Sequence, residues 1–540
     1  MVQVRQCVLT AGLAWLLATP CGGQKFYPDD PIWKEPRPLP VKSVHSRELS
    51  DYYDFFWHTF AEPGEKQPKH GKPIPAQAVN TLGEVPDGAW YTNRHGRNRM
   101  SLDALRRGPD SDNGTVKDGP WKVVSAKTEG VTPGFKILDS RGQKYMIKVD
   151  PIVNPGMATA ADVIGAKFFY SLGYYVPENY VVKFERGQLI IDPQAQLVDA
   201  QGKKRPLSER DIDEILFNVP RDSDGRYRAV ASRYLAGKAL GPFRFHGVRA
   251  DDPNDVVPHE HRRDLRGLFV FAAWLGHNDV KSLNNLDCVV EEDGLQFVRH
   301  TLIDLGAAFG SDSFTAKSPR AGNQYLFEVR PSILQIATLG LYVPRWAKAH
   351  YPNLPEVGRF ESDVFDPEKW KPNYPNPAFD NRLPDDTFWA ARQVMSFGDD
   401  EIRAIVETGK YSDPRSVDWI TRCLIARRDK IGRTYFARVL PLDRFRVEGE
   451  QLVFDDLAVK HQFTAPRQYH VQWSSFDNQA RRKDPLRGKT TLALPPELRA
   501  TRPGEYFAVD ISADDTRKTV TAYLRRQNSG VEVVGIDRTW

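Results

Sequence analysis

Cysteine is scarce in this chain of 540 residues: four in all, at positions 7, 21, 288 and 423. That excludes a disulfide framework, and neither Cys288 nor Cys423 has the neighbours of a metal site. Burial as small apolar side chains is the expectation for both, with one bridge between them as the other arrangement open. Charge of one sign is lacking too. The 75 Lys and Arg against 70 Asp and Glu leave +5, too dilute over this length to mark a nucleic-acid binder. Past the N-terminus there is no apolar run long enough for a bilayer. There is no G-x-x-x-x-G-K-[ST] loop, no G-x-S-x-G elbow and no H-E-x-x-H pair, so those phosphate-loop, serine-hydrolase and zinc-protease signatures are excluded. No internal repeat or long low-complexity tract occurs.

What is present fits a folded protein with a polar surface: 40% of residues are apolar and 27% charged. The length suggests about two to four domains. Arg5 precedes the uncharged run CVLTAGLAWLLATP at residues 7–20, followed by Cys21, Gly22 and Gly23. That is the layout of a secretory leader, and the run is shorter than the roughly 20 residues of a membrane span. Cleavage near Gly23, and so an extracytoplasmic protein, is the expectation. An uncleaved anchor is the alternative, and Pro20 fits a lipoprotein cleavage at Cys21 badly.

The texture then changes along the chain. Residues 24–115 read as an N-terminal extension, with a proline-rich extended start and an aromatic stripe (Leu49, Tyr52, Tyr53, Phe56, Phe60) at the spacing of a core-facing helix. The turn-rich stretch at residues 84–96 has no assignment. Residues 116–433 read as one domain. WKVVSAK, GFKILDS and KYMIKVD are strand-like, TAADVIGAKFFYSLG is helical with Gly173 as its stop, and YVVKFE and LIIDP suggest a hairpin around Arg186 and Gly187. YRAVASRYL is a further strand. Helices follow in PHEHRRDLRGLFVFAAWLG, FEVRPSILQIATLGLY and the stretch 399–431. Arg262, Arg263 and Arg266 are expected on a solvated face, and His259 and His261, two apart, diverge on a helix and make a poor zinc pair. Residues 434–540 read as an all-β, sandwich-like domain. The fold class is α+β: a small β-rich lobe with one helix, a helical lobe, and two flanking regions.

One constellation carries chemistry. Phosphoryl transfer from ATP needs a glycine turn over the phosphates, a lysine with an acidic partner, a carboxylate facing the acceptor, and an Asn and a second Asp for the metal. The chain offers these in order: Gly130 and Gly134 in a turn between strands, Lys148 on the next strand, and Asp162 near the start of the helix. In WLGHNDVKSLNNLD, Asp279 precedes Asn284 by five positions and follows His277 by two; in HTLIDLGAAFG a strand runs into Asp304-Leu305-Gly306. Taken singly, each has a plainer reading as a hairpin turn, a surface lysine, a helix-start carboxylate or a turn cap. The loop and the Asp-x-Gly strand end together are more specific.

The pattern resembles the atypical kinases of the HipA, phosphatidylinositol 3/4-kinase and CotH type, over about residues 130–310. LIDLGAAFG is similar to their metal-binding strand end, and ADVIGAKFFYSLGYYVPE to their acid-bearing helix, through Asp162, Gly173 and Pro177. The resemblance implies ATP and Mg2+ as cofactors. Lys148 would meet the phosphates and pair with Asp162, Asp279 would be the catalytic base, and Asn284 and Asp304 would bind Mg2+. Backbone groups near Tyr234 and Leu235 would meet adenine. The chain departs from the pattern in having Asp162 where Glu is usual, Leu305 for Phe, and no G-x-G-x-x-G. The functions in play are a secreted phosphotransferase acting on a hydroxyl of unknown class, an inactive pseudokinase, an AMP-transferring enzyme, and an envelope or glycan-binding surface protein working through its C-terminal region.

Overall fold

The computed structural model describes residues 23–47, 55–111, 119–127, 134–198, 203–328, 333, 337–338 and 341–540. The leader-like residues up to 22, Gly130, Leu49, Tyr52, Tyr53 and much of the helix expected within 327–342 lie outside them.

The first sheet has seven strands: β1 (Trp121–Lys127), β2 (Gly134–Leu138), β3 (Lys144–Val149), β4 (Asn179–Phe184), β5 (Leu189–Val198), β6 (Lys204–Pro206) and β7 (Tyr227–Arg233), in the order β4-β7-β3-β2-β1-β5-β6. Only β1 and β5 run parallel. The hairpin expected between β4 and β5 is absent: β4 pairs with β7 and β5 with β1. Only Glu185 to Gln188 separate these two strands, so the sheet curls to bring them together, and the Trp121 ring of β1 lies 5.3 Å from Phe184 of β4. Side chains alternate along a strand. Tyr145, Ile147 and Val149 of β3 therefore enter the buried cluster that also takes Ile212, Ile215 and Leu216 of helix α2 (Glu209–Phe217). Lys148 points to the opposite face.

On that face lies α1 (Met157–Ser171), almost wholly buried because it is wedged between sheet and helices. Gly173 (φ +112°) ends it, and a Cβ there would stand 2.2 Å from the Tyr91 ring. Next comes α3 (Arg263–Leu275), buried on every side and closed by Gly276 at φ +63°. Around it pack α4 (Pro384–Met395), α5 (Asp399–Glu407) and α6 (Pro414–Phe436), sharing a core with Trp274, Trp389 and Phe271. The expectation of a solvated arginine face on α3 is wrong. Arg262, Arg263 and Arg266 are 4%, 7% and 0% exposed. Acids of a distant segment reach two of them, Asp385 and Asp386 of α4 pairing with Arg263 and Asp386 also with Arg266, while Arg262 pairs with the nearby Asp264. His259 and His261 bond Asp255 and Glu65 separately, each at 2.8 Å.

A three-stranded sheet, β8 (Lys238–Gly241), β9 (Asn285–Glu292) and β10 (Leu295–Leu302), lies between these parts in chain order. Beyond α6, which runs past the strand start expected at 434, come β11 (Leu442–Glu448) and β12 (Gln451–Asp456) as one pair. A five-stranded sheet follows, from β13 (His470–Asp477), β14 (Arg482–Pro485), β15 (Tyr506–Ser512), β16 (Thr519–Gln527) and β17 (Gly530–Arg538). Leu442 and Leu452 of the pair share a core with Trp473, Val509 and Leu524 of the larger sheet. Short helices at Leu457–Lys460 and Pro496–Ala500 interrupt the strands, so the region is not all β.

The N-terminal extension is a strap. Phe26 packs among Phe476, Tyr506 and Tyr523, Val41 N donates to Gln296 O of β10, and Trp90 and Tyr91 enter the helical core. Of the aromatic stripe, Phe56 is half-buried and Phe60 is 51% exposed, so it is not all core; the buried ring of this segment is Phe55. Cys288 and Cys423 are buried and free. Among the described residues no helix is long and apolar enough to cross a membrane.

Candidate active site

Strand alternation aims Lys148 at α1, and Asp162 in the second turn of α1 meets it: Nζ to Oδ2 is 3.0 Å. The same ammonium stands 2.9 Å from Oδ1 of Asp304. The β9–β10 hairpin supplies the rest. Its register pairs Asn285 with Leu302, and one step on Ile303 N donates to Asn284 O at 3.1 Å. Asn284 and Asp304 therefore emerge side by side where the ladder ends. Asp304 has φ +56°, a left-handed conformation that costs a non-glycine residue on the order of 1 kcal/mol and turns the chain sharply off the strand. Two glycines keep the surroundings tight: a Cβ at Gly165 would be 3.2 Å from Leu305, and one at Gly306 would be 3.3 Å from Oδ2 of Asp162.

Asp279 follows the end of α3. Its Oδ2 accepts from Asn284 Nδ2 at 2.8 Å and from Lys281 Nζ at 3.0 Å; Oδ1 accepts from Asn373 Nδ2 at 3.2 Å. Asn284 Nδ2 also reaches Asp279 O at 2.7 Å. The loop is pinned from below. Lys317 Nζ donates to Gly276 O and Ala307 O, both at 2.7 Å, and to Asn278 Oδ1, while His277 Nδ1 lies 3.0 Å from Ala307 O. The loop carrying Asp279 and the turn after Asp304 thus share one carbonyl anchor.

The charges shift one another. Burial works to lower Lys148, but Asp162 and Asp304 raise it above the ordinary lysine value, so it stays an ammonium. Lys148 in turn holds Asp304 below the usual carboxylate range. Burial lifts Asp162 against the pull of Lys148. Burial would also raise Asp279, yet Lys281 and Asn284 bring it down, so it too is ionised. His277 is pushed down to about 4 by burial and then by the Lys317 ammonium, and is neutral.

Lys148, Asp162, Asp279, Asn284 and Asp304 therefore form one continuous cluster. The remaining sequence candidates fare differently. Gly134 is not in a turn: it opens β2 opposite Lys148, where a Cβ would meet Ile147 O at 2.3 Å. Tyr234 donates its amide to Lys144 O at 3.1 Å, so that amide is engaged with β3 and is not offered to a ligand. Leu235 packs on Cys288, Val290 and Phe297 between β7 and β8. Residues missed by sequence reasoning are Lys281, Asn278, Lys317 and Asn373. Lys281, two positions after Asp279, was legible as a cation beside a candidate base. Lys317 and Asn373 carry no local signal.

The donor set suits a hard cation. Asp304 is exposed, with one oxygen turned to Lys148, and the hydrogen bonds from Asn284 to Asp279 leave its amide by Nδ2, so that its carbonyl oxygen remains as a ligand. Among the described residues there is no group of three His, Cys, Asp or Glu able to hold a metal by themselves.

No protein-family model and no curated protein matches the chain. Among solved structures it is similar to the Helicobacter pylori proinflammatory kinase CtkA, at 11% identity and TM-score 0.31, over 61% of this chain and 94% of that one. It is also similar to the Golgi casein kinase, at 9% identity and TM-score 0.30, over 63% of this chain and 77% of that one. A structure of the Golgi casein kinase with Mn/ADP bound matches at 10% identity and TM-score 0.28, over 63% of this chain and 75% of that one. Likenesses of this size carry no part of the functional reading, which stands on the residues above.

Proposed function

We propose that the protein is a kinase-like phosphotransferase that moves the terminal phosphoryl group of ATP to a hydroxyl acceptor. The observation that carries this reading is the double contact of Lys148 with Asp162 and Asp304, adjoining the Asp279–Asn284 pair. In this reading the bond from the acceptor oxygen to the γ-phosphorus forms as the bond to the β-phosphate oxygen breaks. The acceptor proton passes to the carboxylate of Asp279, and ADP leaves. Asp279 is fit for this because Asn284, Asn373 and Lys281 fix its orientation, and its ionised form is the one populated. Lys148 holds a non-bridging phosphate oxygen while Asp162 holds Lys148. Asp304 and the Asn284 carbonyl would hold Mg2+, which would supply neutralisation of the phosphate charge. Lys281, beside Asp279, adds a second cation where the transferring group would lie.

The leader-like N-terminus supports action outside the cytoplasm, with the unit at residues 116–433 catalytic. The strand-rich residues 434–540 are proposed as the part that meets an envelope or glycan partner. The test is label transfer. With γ-labelled ATP, Mg2+ and a hydroxyl-rich acceptor mixture, the wild type is expected to label and Asp279→Ala to lose it. Label arriving only from α-labelled ATP would replace this reading with AMP transfer. No transfer alongside saturable ATP binding would leave a pseudokinase.

A further inference from the structure

A cavity of about 590 Å3, sharing no residue with the candidate active site, opens where the N-terminal strap, α4 and the C-terminal strands meet. That volume suits a small-molecule ligand. Its lining is one-sided in charge: Arg97, Arg99, Arg392, Arg444, Lys460 and Arg538 against Glu84 and Asp443. The two carboxylates are already committed, since Arg392 donates one guanidinium nitrogen to each of them. Arg99 is paired with Glu401 and Lys460 with Asp455, both outside the lining. Among the described residues Arg97, Arg444 and Arg538 make no ion pair at all.

These three are positioned rather than loose. The Arg97 guanidinium lies 3.5 Å from the centre of the Trp33 ring, stacked and so planar to whatever approaches. Arg444 sits at φ +53° in the irregularity of the β11–β12 ladder, between Asp443 and Arg446. Such a bulge re-aims a side chain, and here it directs Arg444 to the cavity. Arg538 reaches Leu440 O and Leu442 O at 3.2 and 2.6 Å and covers the Phe388 ring. Burial pushes Arg538 down to about 10 against the pull of Asp443, and His461 in the lining is lowered by burial and then by the neighbouring cations Lys460 and Arg428.

We propose that this cavity binds a small phosphorylated anion, of the class bearing a di- or triphosphate group. Six cations face four carboxylates, Glu84, Asp443, Glu401 and Asp455, and Arg538 has only Asp443 and Glu84, which Arg392 already holds. An occupant of about two or more negative charges in a compact group is therefore called for, and the planar forks match phosphate oxygens two at a time. A single carboxylate supplies too little charge. The walls come from three chain regions, joined by Ile536 N to Thr81 O at 2.9 Å and by the Arg392 bridges, so an occupant would lock the C-terminal strands onto the helical part.

The test is calorimetric titration of the full chain with inorganic triphosphate, without divalent metal, at about 0.15 M salt. One saturable site is expected, with the same affinity in Asp304→Ala, which separates it from the candidate active site. Arg97→Gln with Arg444→Gln should weaken binding at least about tenfold. Both side chains are exposed, so the melting temperature of the free protein should not move. In the wild type, triphosphate should raise the pH at which the His461 imidazole titrates by NMR, a reading that does not depend on the variant folding. The proposal is overturned by absent or unsaturable binding, by equal affinity in the double variant, by loss of binding in Asp304→Ala, or by an unmoved His461. Citrate binding as tightly as triphosphate would overturn the phosphate class.

Discussion

Lys148 stands 2.9 Å from Asp304, though 156 positions separate them in the chain. The contact joins the β-rich sheet to the end of the β9–β10 hairpin, and Asp162 holds the same ammonium from α1 at 3.0 Å. One cation is thus shared by a buried carboxylate and an exposed one. The buried partner fixes its position; the exposed partner leaves it available to a ligand.

Replacing Lys148 with Met removes that shared cation. Losing one preorganised cationic donor is expected to lower label transfer by about a hundredfold to a thousandfold. Asp162 and Asp304 then face each other uncompensated, so Asp304 should titrate at higher pH than in the wild type. Carboxylate NMR measures the shift, and transfer within tenfold of wild type would rule out a phosphate contact for Lys148.

Mg2+ and ATP together should stabilise the fold. With nucleotide a hundredfold above its Kd, binding adds about 2.7 kcal/mol. Thermal melts with Mg-ATP should show this in the wild type, and Asp304→Ala should respond no more than wild type does to ATP without metal. An Asp304→Ala protein stabilised as well as the wild type would remove Asp304 from the metal site.

His277 predicts a pH dependence of stability. Its folded value is about 4, against about 6.5 in an unfolded chain. Between these values the unfolded chain binds more protons, so stability rises with pH. The contribution is complete above pH about 6.5 and is lost as pH falls to about 4, amounting to about 3 kcal/mol. Urea melts at the two ends of this window should differ less in His277→Gln by that amount; an unchanged difference would refute the assignment.

Asp386 should matter to the fold and not to chemistry. Its carboxylate lies 3.0 Å from Arg263 and 3.3 Å from Arg266, with Asp386 and Arg266 fully buried. Asp386→Ala leaves Arg266 with no carboxylate in the core and takes one of two from Arg263, which keeps Asp385; this is expected to cost about 3–5 kcal/mol. Glu214→Ala, which breaks the exposed pair with Arg210, should leave the melting temperature unchanged. Equal effects from the two variants would contradict the assigned burial.

Most strands and helices were legible because their side-chain periods are local. In KYMIKV the positions of Tyr145, Ile147 and Val149 alternate, so these three must share one face, and Met146 and Lys148 must take the other. The same local reading failed at LRGLF and its flanking arginines. Charge predicts solvent, and only the acids of α4, more than 100 positions away, make burial of Arg263 and Arg266 affordable in free energy. Likewise a short turn suggested a β4–β5 hairpin, whereas the strands found other partners because the whole sheet curls.

The sequence by itself determined the order of chemical groups: a lysine on a strand, an acid on the next helix, Asp279 five before Asn284, and Asp304 at a strand end. That Asn284 and Asp304 flank one hairpin came from the pairing of β9 with β10. Only tertiary structure decided that Lys148 reaches Asp304, that Lys317 and Asn373 hold the Asp279 loop, and that unpaired arginines line a second cavity. Local order follows from side-chain period and backbone geometry within a few residues. Which charges meet depends on how distant segments pack, and that is settled by the burial of apolar surface over the whole chain.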